Sequence, residues 1–168
     1  INVDLEKILD WAKTWRITFN TIKTVLMFFS PKGIKYEKAS INFGGDYIYP
    51  AMEHVHLGMT ITPDLKWSCH INKLRSECSK QLGLLRRQAS DLNFHQKTQV
   101  YLSIIRPKIE YGSILYDACN INEVARLDQL QRKAAIICTN AWSRTDNKQL
   151  MNFLNWDSLA TRRLVGKS

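Results

Sequence analysis

The sequence predicts an α+β fold in which a small mixed lobe precedes a helical one. Two observations carry this. Before residue 62, apolar residues recur every second position, most clearly at Val55, Leu57, Met59 and Ile61 against His56, Gly58, Thr60 and Thr62. After Trp67 the apolar spacing changes to three and four and stays there. The boundary between the two patterns gives expected lobes of 1–65 and 66–168.

The elements follow in order. Leu5, Ile8, Leu9, Ala12 and Trp15 mark an amphipathic helix over 3–17, with Asp4, Glu6, Lys7, Asp10 and Lys13 filling its other faces. Residues 24–29 form an apolar run stopped by Ser30-Pro31-Lys32-Gly33, the length of a buried strand. Ile41 and Phe43, then Gly44-Gly45-Asp46, then Tyr47-Ile48-Tyr49 read as a β-hairpin, interrupted by Pro50. Val55 to Ile61 reads as one strand closed by Pro63-Asp64. The first lobe is therefore expected to run helix, strand, β-hairpin, strand. In the second lobe, Ile71, Leu74, Cys78, Leu82 and Leu85 define a long helix, and Val100, Tyr101, Ile104 and Ile105 another. Pro107 must kink or end the latter, because it lacks an N–H and its ring clashes with the turn before it. Val124, Leu127, Leu130, Gln131, Ala134 and Ile137 mark a third helix, with Asn120 and Glu123 spaced as a capping pair. Leu150, Phe153, Leu154, Leu159 and Leu164 suggest one or two short helices at the end.

Composition narrows the class of partner. In 168 residues, 24 Lys and Arg face 15 Asp and Glu, a formal net charge of +9 that favours polyanions. The four cysteines, Cys69, Cys78, Cys119 and Cys138, include no C-x-x-C pair and read as free buried thiols of a reducing compartment. His54 and His56 share a strand face and His70 follows, but no carboxylate or cysteine completes a known ligand spacing, so no metal site is expected. No apolar run reaches the length of a membrane span. An intracellular protein, nuclear or cytoplasmic, is the expectation. The chain opens Ile1-Asn2-Val3-Asp4, without Met and without the layout of a signal peptide, and so reads as a piece of a longer protein.

Particular motifs go further. Trp11-Ala12-Lys13 leads into Phe19-Asn20-Thr21-Ile22-Lys23-Thr24 and Met27-Phe28-Phe29-Ser30. His54-Val55-His56-Leu57-Gly58-Met59-Thr60-Ile61 follows, then Asp64-Leu65-Lys66-Trp67-Ser68 and Leu82-Gly83-Leu84-Leu85-Arg86-Arg87. Later come Ile105-Arg106-Pro107-Lys108-Ile109-Glu110-Tyr111-Gly112, Leu127 to Ala135 around Gln131, and Leu154-x-Trp156-x-Ser158-Leu159-x-x-Arg162-Arg163. In this order and over nearly the whole chain, these motifs resemble non-LTR retrotransposon reverse transcriptases of the jockey-like kind.

The resemblance implies the C-terminal edge of a polymerase palm in 1–65 and a helical thumb with a post-thumb region in 66–168. Lys23 matches the family's loop lysine near the incoming nucleotide, a donor of a proton to the pyrophosphate leaving group. His56, Leu57 and Gly58 match the primer-grip motif. Within a single strand, Gly58 shares a face with His56 and Thr60, opposite the apolar face, and lets a phosphate backbone approach. Lys66, Lys73, Lys80, Arg86 and Arg87 would face a primer–template hybrid. Apart from the family, the excess of Lys66, Lys73, Arg75, Lys80, Arg86, Arg87, Lys97, Arg106 and Lys108 over Glu77, Asp91 and Glu110 already suggests a phosphate-binding surface.

One departure from the family matters. Its polymerases hold Mg²⁺ on an aromatic-x-Asp-Asp hairpin, and no Asp-Asp dipeptide occurs in this sequence. No cofactor is therefore expected in this chain, Mg²⁺ only with aspartates upstream, and polymerisation only with the remainder of the polymerase chain as partner. The rival reading is a stand-alone, non-catalytic nucleic-acid-binding or protein-interaction module derived from a mobile element.

Overall fold

Leu5, Leu9 and Ala12, spaced by four and three, wind the chain into α1 (Asn2–Thr14) with one face turned inward. The structure, a computed structural model, describes residues 1–30, 39–116 and 121–165. Its class is the expected mixed α+β, in two compact units, Ile1–Lys66 and Trp67–Ser168.

In the first unit, α1 packs on a hairpin of β1 (Ile41–Phe43) and β2 (Asp46–Ile48), in the register Ile41↔Ile48 and Phe43↔Asp46. The turn residues Gly44 and Gly45 both have positive φ, 67° and 96°, the backbone that a two-residue hairpin loop needs. Phe19 packs on Phe43 at a ring separation of 5.3 Å, and Ala12, Phe43, Ile48 and Met59 make a small buried core. Trp15 and Ile8, expected inside, stay exposed beside Trp11. They lie on an outer arc of the helix that the hairpin does not reach.

Two strand expectations are corrected. Among the described residues, 24–29 forms no ladder. Leu26 makes one isolated parallel bridge to Pro50, its carbonyl accepting from the Ala51 N–H at 2.8 Å, and the Ser30 N–H donates to the Pro63 carbonyl at 2.9 Å. Val25 and Phe29 are exposed, because a strand buried on both faces needs neighbours, and proline, lacking an N–H, is a poor one. The stretch 55–61 is two strands. β3 (His54–His56) pairs with β4 (Met59–Ile61), His54 opposite Ile61 and His56 opposite Met59. Leu57 and Gly58 form the turn, with φ of 48° and 76°. Directly paired residues point to one side of a sheet. The fold-back therefore puts His54, His56, Met59 and Ile61 on one face and Val55 and Thr60 on the other.

The second unit is built around α2 (Ser68–Arg87) and α6 (Ile121–Thr139), which pack on each other. Ile71, Leu74, Cys78, Leu82 and Leu85 from α2 meet Val124, Leu127, Leu130, Ala134, Ala135 and Cys138 from α6. Burial pushes the Cys78 and Cys138 thiols up to about 11, so both remain protonated, inert core groups. Cys69 is half-buried in α2, while Cys119 and the expected Asn120 cap lie outside the described residues.

Pro107 shapes the rest. α3 (Phe94–Val100), opened by an Asn93–Gln96 capping box, does not end before it but widens into a π turn over Tyr101–Ile105, and α4 (Arg106–Glu110) continues. The Arg106 N–H donates to the Tyr101 carbonyl, five residues back, and the wider turn relieves the clash a proline ring makes in an α-helix. After α5 (Ser113–Tyr116), the chain returns through α6, α7 (Asn147–Leu154) and α8 (Leu159–Val165).

Several motif residues of this unit turn out to be internal fasteners. Tyr101 stacks on Trp156 at 4.4 Å and 24°. Glu110 pairs with Arg106 at 3.7 Å and takes both arms of Arg162, whose Nη2 donates at 3.2 Å. Buried Arg163 faces Asp128 at 3.5 Å, and the Tyr116 hydroxyl donates to the Ile109 carbonyl. Gln131, also buried, donates from Nε2 to the Asp157 carbonyl at 2.9 Å and accepts the Leu159 N–H at 3.3 Å. It thereby joins α6 to the start of α8. Gln131→Leu keeps the volume but strands both backbone partners, and should cost on the order of 3 kcal/mol in denaturant unfolding. The same change at exposed Gln129 should cost under about 0.5 kcal/mol.

Candidate nucleic-acid interface

The buried stripe of α2 leaves a long outer face. Lys73, Lys80 and Arg87, seven residues apart and all exposed, lie along it in one row, since seven residues bring a helix almost back into phase. At 1.5 Å per residue the row runs about 21 Å. None of the ion pairs described involves Lys80, Arg86 or Arg87. Lys108 is also exposed.

Arg86 does not join that row. One residue is a 100° step, and it turns Arg86 to the side, where it lines a groove of about 640 Å³ between the C-terminal halves of α2 and α6. Two other basic candidates leave the surface. Lys97 is 2% exposed, its ammonium donating to Asn140 Oδ1 at 3.0 Å, and Arg106 is half-buried against Glu110.

In the first unit the candidate residues sit at two separate turns. The Asn20-x-x-Lys23-Thr24 motif is a capped 3₁₀ turn, Thr21–Lys23, rather than the opening of a strand. Asn20 Oδ1 accepts the Lys23 N–H at 3.1 Å, Thr24 Oγ1 donates to the Asn20 carbonyl, and Thr21 donates to Asp46 at 2.6 Å. The backbone of Lys23 is thus fixed while its side chain is exposed. His56, Leu57 and Gly58 form the end of the β3–β4 hairpin, with Leu57 76% exposed. The glycine is therefore not on a strand face. It occupies a left-handed turn position whose backbone is accessible. Lys66 is exposed and lies 3.7 Å from Asp64, whose carboxyl is held low by the Thr62 hydroxyl bonded to it.

Among the described residues, no group of three or more His, Cys, Asp or Glu side chains is placed to hold a metal ion. His54 and His56 do share a face, 6.2 Å apart, while His70 is buried in the second unit against Trp67 and Tyr116. No helix of the described residues is long and apolar enough to cross a membrane.

The chain is similar to a transposon-encoded RNA-directed DNA polymerase. It is 24% identical over 127 residues, 74% of its own length, to the probable RNA-directed DNA polymerase from transposon BS of Drosophila melanogaster. It spans 14% of that protein. No family model matches the chain, and no solved structure matches it. The resemblance read from the motifs is thus supported by a relative named as a transposon RNA-directed DNA polymerase, and the match covers only a part of that protein.

Sequence reasoning gave no role to three residues of the helical unit, Gly83, Lys133 and Trp142, although Gly83 stands within a quoted motif. Only the helical glycine carried a local signal, as a residue of poor helix propensity mid-helix.

The turn at Gly58 makes a direct prediction. A valine suits a strand face but not φ of 76°. Gly58→Val should destabilise the first unit by about 2 kcal/mol, seen as lower amide-exchange protection at His56 and Met59, the pair that closes the turn, whereas Gly58→Asn should cost less than half of that.

Proposed function

We propose that this chain is the part of a transposon-type reverse transcriptase that holds the primer–template hybrid during RNA-directed DNA synthesis. The first unit takes the role of the palm's C-terminal edge and the second that of the thumb. The observation that carries this is the row of exposed cations Lys73, Lys80 and Arg87 along the outer face of α2, where they outnumber the one carboxylate beside them, Glu77. Evenly spaced cations on a rigid helix neutralise phosphates without reading bases, which a surface that slides along a hybrid needs. The similarity to a transposon polymerase supports it.

In this reading the Leu57–Gly58 turn, with His56 beside it, approaches the primer backbone, and Lys66 and Arg86 add to the positive field. Lys23 stands ready to neutralise or protonate a leaving pyrophosphate. The metal-binding aspartates, with their Mg²⁺, belong to another part of the polymerase, which is the chain's first partner. The site of action is intracellular, in nucleus or cytoplasm.

Two measurements test this. An RNA–DNA hybrid is titrated with the chain at several salt concentrations. Affinity should fall steeply with salt, and Lys73→Ala/Lys80→Ala/Arg87→Ala should lower the slope of log K against log salt by about three. A flat salt dependence, or an unchanged slope in the triple variant, overturns the reading. Given primed RNA, nucleotides and Mg²⁺, the chain alone should extend no primer. Template-dependent extension above a mock preparation overturns the assignment of catalysis to another part.

A further inference from the structure

The groove between α2 and α6 has a composition unlike the rest of the surface. Leu82, Ile136 and Ile137 give it an apolar floor, and Arg86 and Lys133 stand on its walls. Among the described residues, no carboxylate lines it. The two cations engage in none of the ion pairs described. Helix C-termini carry negative partial charge, but the buried ammonium of Lys97, bonded to groove-lining Asn140, lies at the end of α6 and offsets it.

Gly83 adds a second observation. A glycine inside a helix costs about 1 kcal/mol relative to alanine. A Cβ built on Gly83 meets nothing within 4 Å, so packing within the chain does not require the glycine. It keeps the groove wall open. The third observation is Trp142, 87% exposed between the groove-lining residues Ala141 and Ser143. An indole so exposed is a stacking platform.

We infer that this groove binds a short single strand of nucleic acid, bases over the apolar floor and against Trp142, phosphates against Arg86 and Lys133. The inference rests on the nucleic-acid reading above and adds a second surface, distinct from the basic row of α2. Helices packed about 8–10 Å apart leave a furrow that a base enters and a duplex does not. The floor suits the faces of bases, which hybrid-backbone contacts do not use. An acidic amphipathic peptide would meet the same walls, but the exposed indole and the net charge of +9 favour the polyanion.

The test uses the whole chain with fluorescein-labelled oligo(dT) and oligo(rU), an RNA–DNA hybrid, and a Glu- and Leu-rich amphipathic peptide. Gly83→Leu fills the groove where space is free, so its melting temperature should hold or rise. It and Lys133→Glu should each weaken single-strand binding about tenfold, and Trp142→Ala should do so by a similar factor, the loss of one stacked base. Hybrid affinity should stay within about twofold in Gly83→Leu and Trp142→Ala, neither of which removes charge. Unchanged single-strand affinity in a folded Gly83→Leu overturns the inference and leaves the hybrid reading standing. Absence of both single-strand and hybrid binding in the unaltered chain overturns both. Peptide binding that Gly83→Leu abolishes, without single-strand binding, makes the groove a protein-docking site and overturns the inference alone.

Discussion

Pro107 has no amide proton, and the arrangement of the helical unit follows from how the chain accommodates it. The π turn before it lets a helical path continue where an α-helix would break. Its wider turn, with more residues per revolution, also suits a spacing of four, so Lys97, Tyr101, Ile105 and Ile109 are all buried. In an unbroken α-helix the same spacing would drift by 40° at each step and carry one end of the row to the surface. Because the row stays inside, Tyr101 meets Trp156 and Glu110 meets Arg162. The partner side prepares for this with its own backbone choice. Asn155, at φ of 51°, closes α7 by turning the chain so that the Trp156 N–H reaches back to the Met151 carbonyl. The residues that make the sequence recognisable here are those that fasten four helical segments to one another.

The first unit works by different means. Its core is small, and two tight turns and one capped 3₁₀ turn set its shape. Such turns hold backbone position well without a large hydrophobic reserve. Lys23 shows this: its main chain is tied by Asn20, and Thr21 ties the same turn to the first hairpin. A side chain presented from a fixed backbone suits contact with phosphate, where position along the strand matters more than burial.

How much was legible depended on whether a signal was local. The core stripe of α2 could be read residue by residue, and so could the Gly44-Gly45 turn, because glycine pairs have one strong use there. The β3–β4 hairpin hid for a specific reason. A turn of two residues is an even insertion, so the alternation of Val55, Leu57, Met59 and Ile61 runs unbroken through it while the chain reverses. Leucine at positive φ gave no warning, since asparagine or aspartate is the usual partner of glycine in such a turn. The strand expected at 24–29 failed because apolar character shows a wish for burial, not the presence of neighbours. Arg86 and Arg87, adjacent in sequence, were read as one patch, and a helix separates adjacent residues by 100°. The α2–α6 groove joins Gly83 to Lys133 and to Ala141 and Ser143, the neighbours of Trp142, and spacing alone does not reveal such a meeting.

The outer arc of α1 carries one more consequence. Ile8, Trp11 and Trp15 are exposed together, on a chain with a net charge of +9. At low ionic strength the mutual repulsion of like-charged molecules reaches ~30 Å at 0.01 M and keeps those apolar patches apart. At 0.1 M the reach contracts to ~10 Å, and the patches of two molecules can meet. Added salt therefore encourages the chain to associate with itself, through the same screening that weakens the proposed hold on a polyanion. Colloidal behaviour and the proposed ligand affinity would thus be coupled through a single variable.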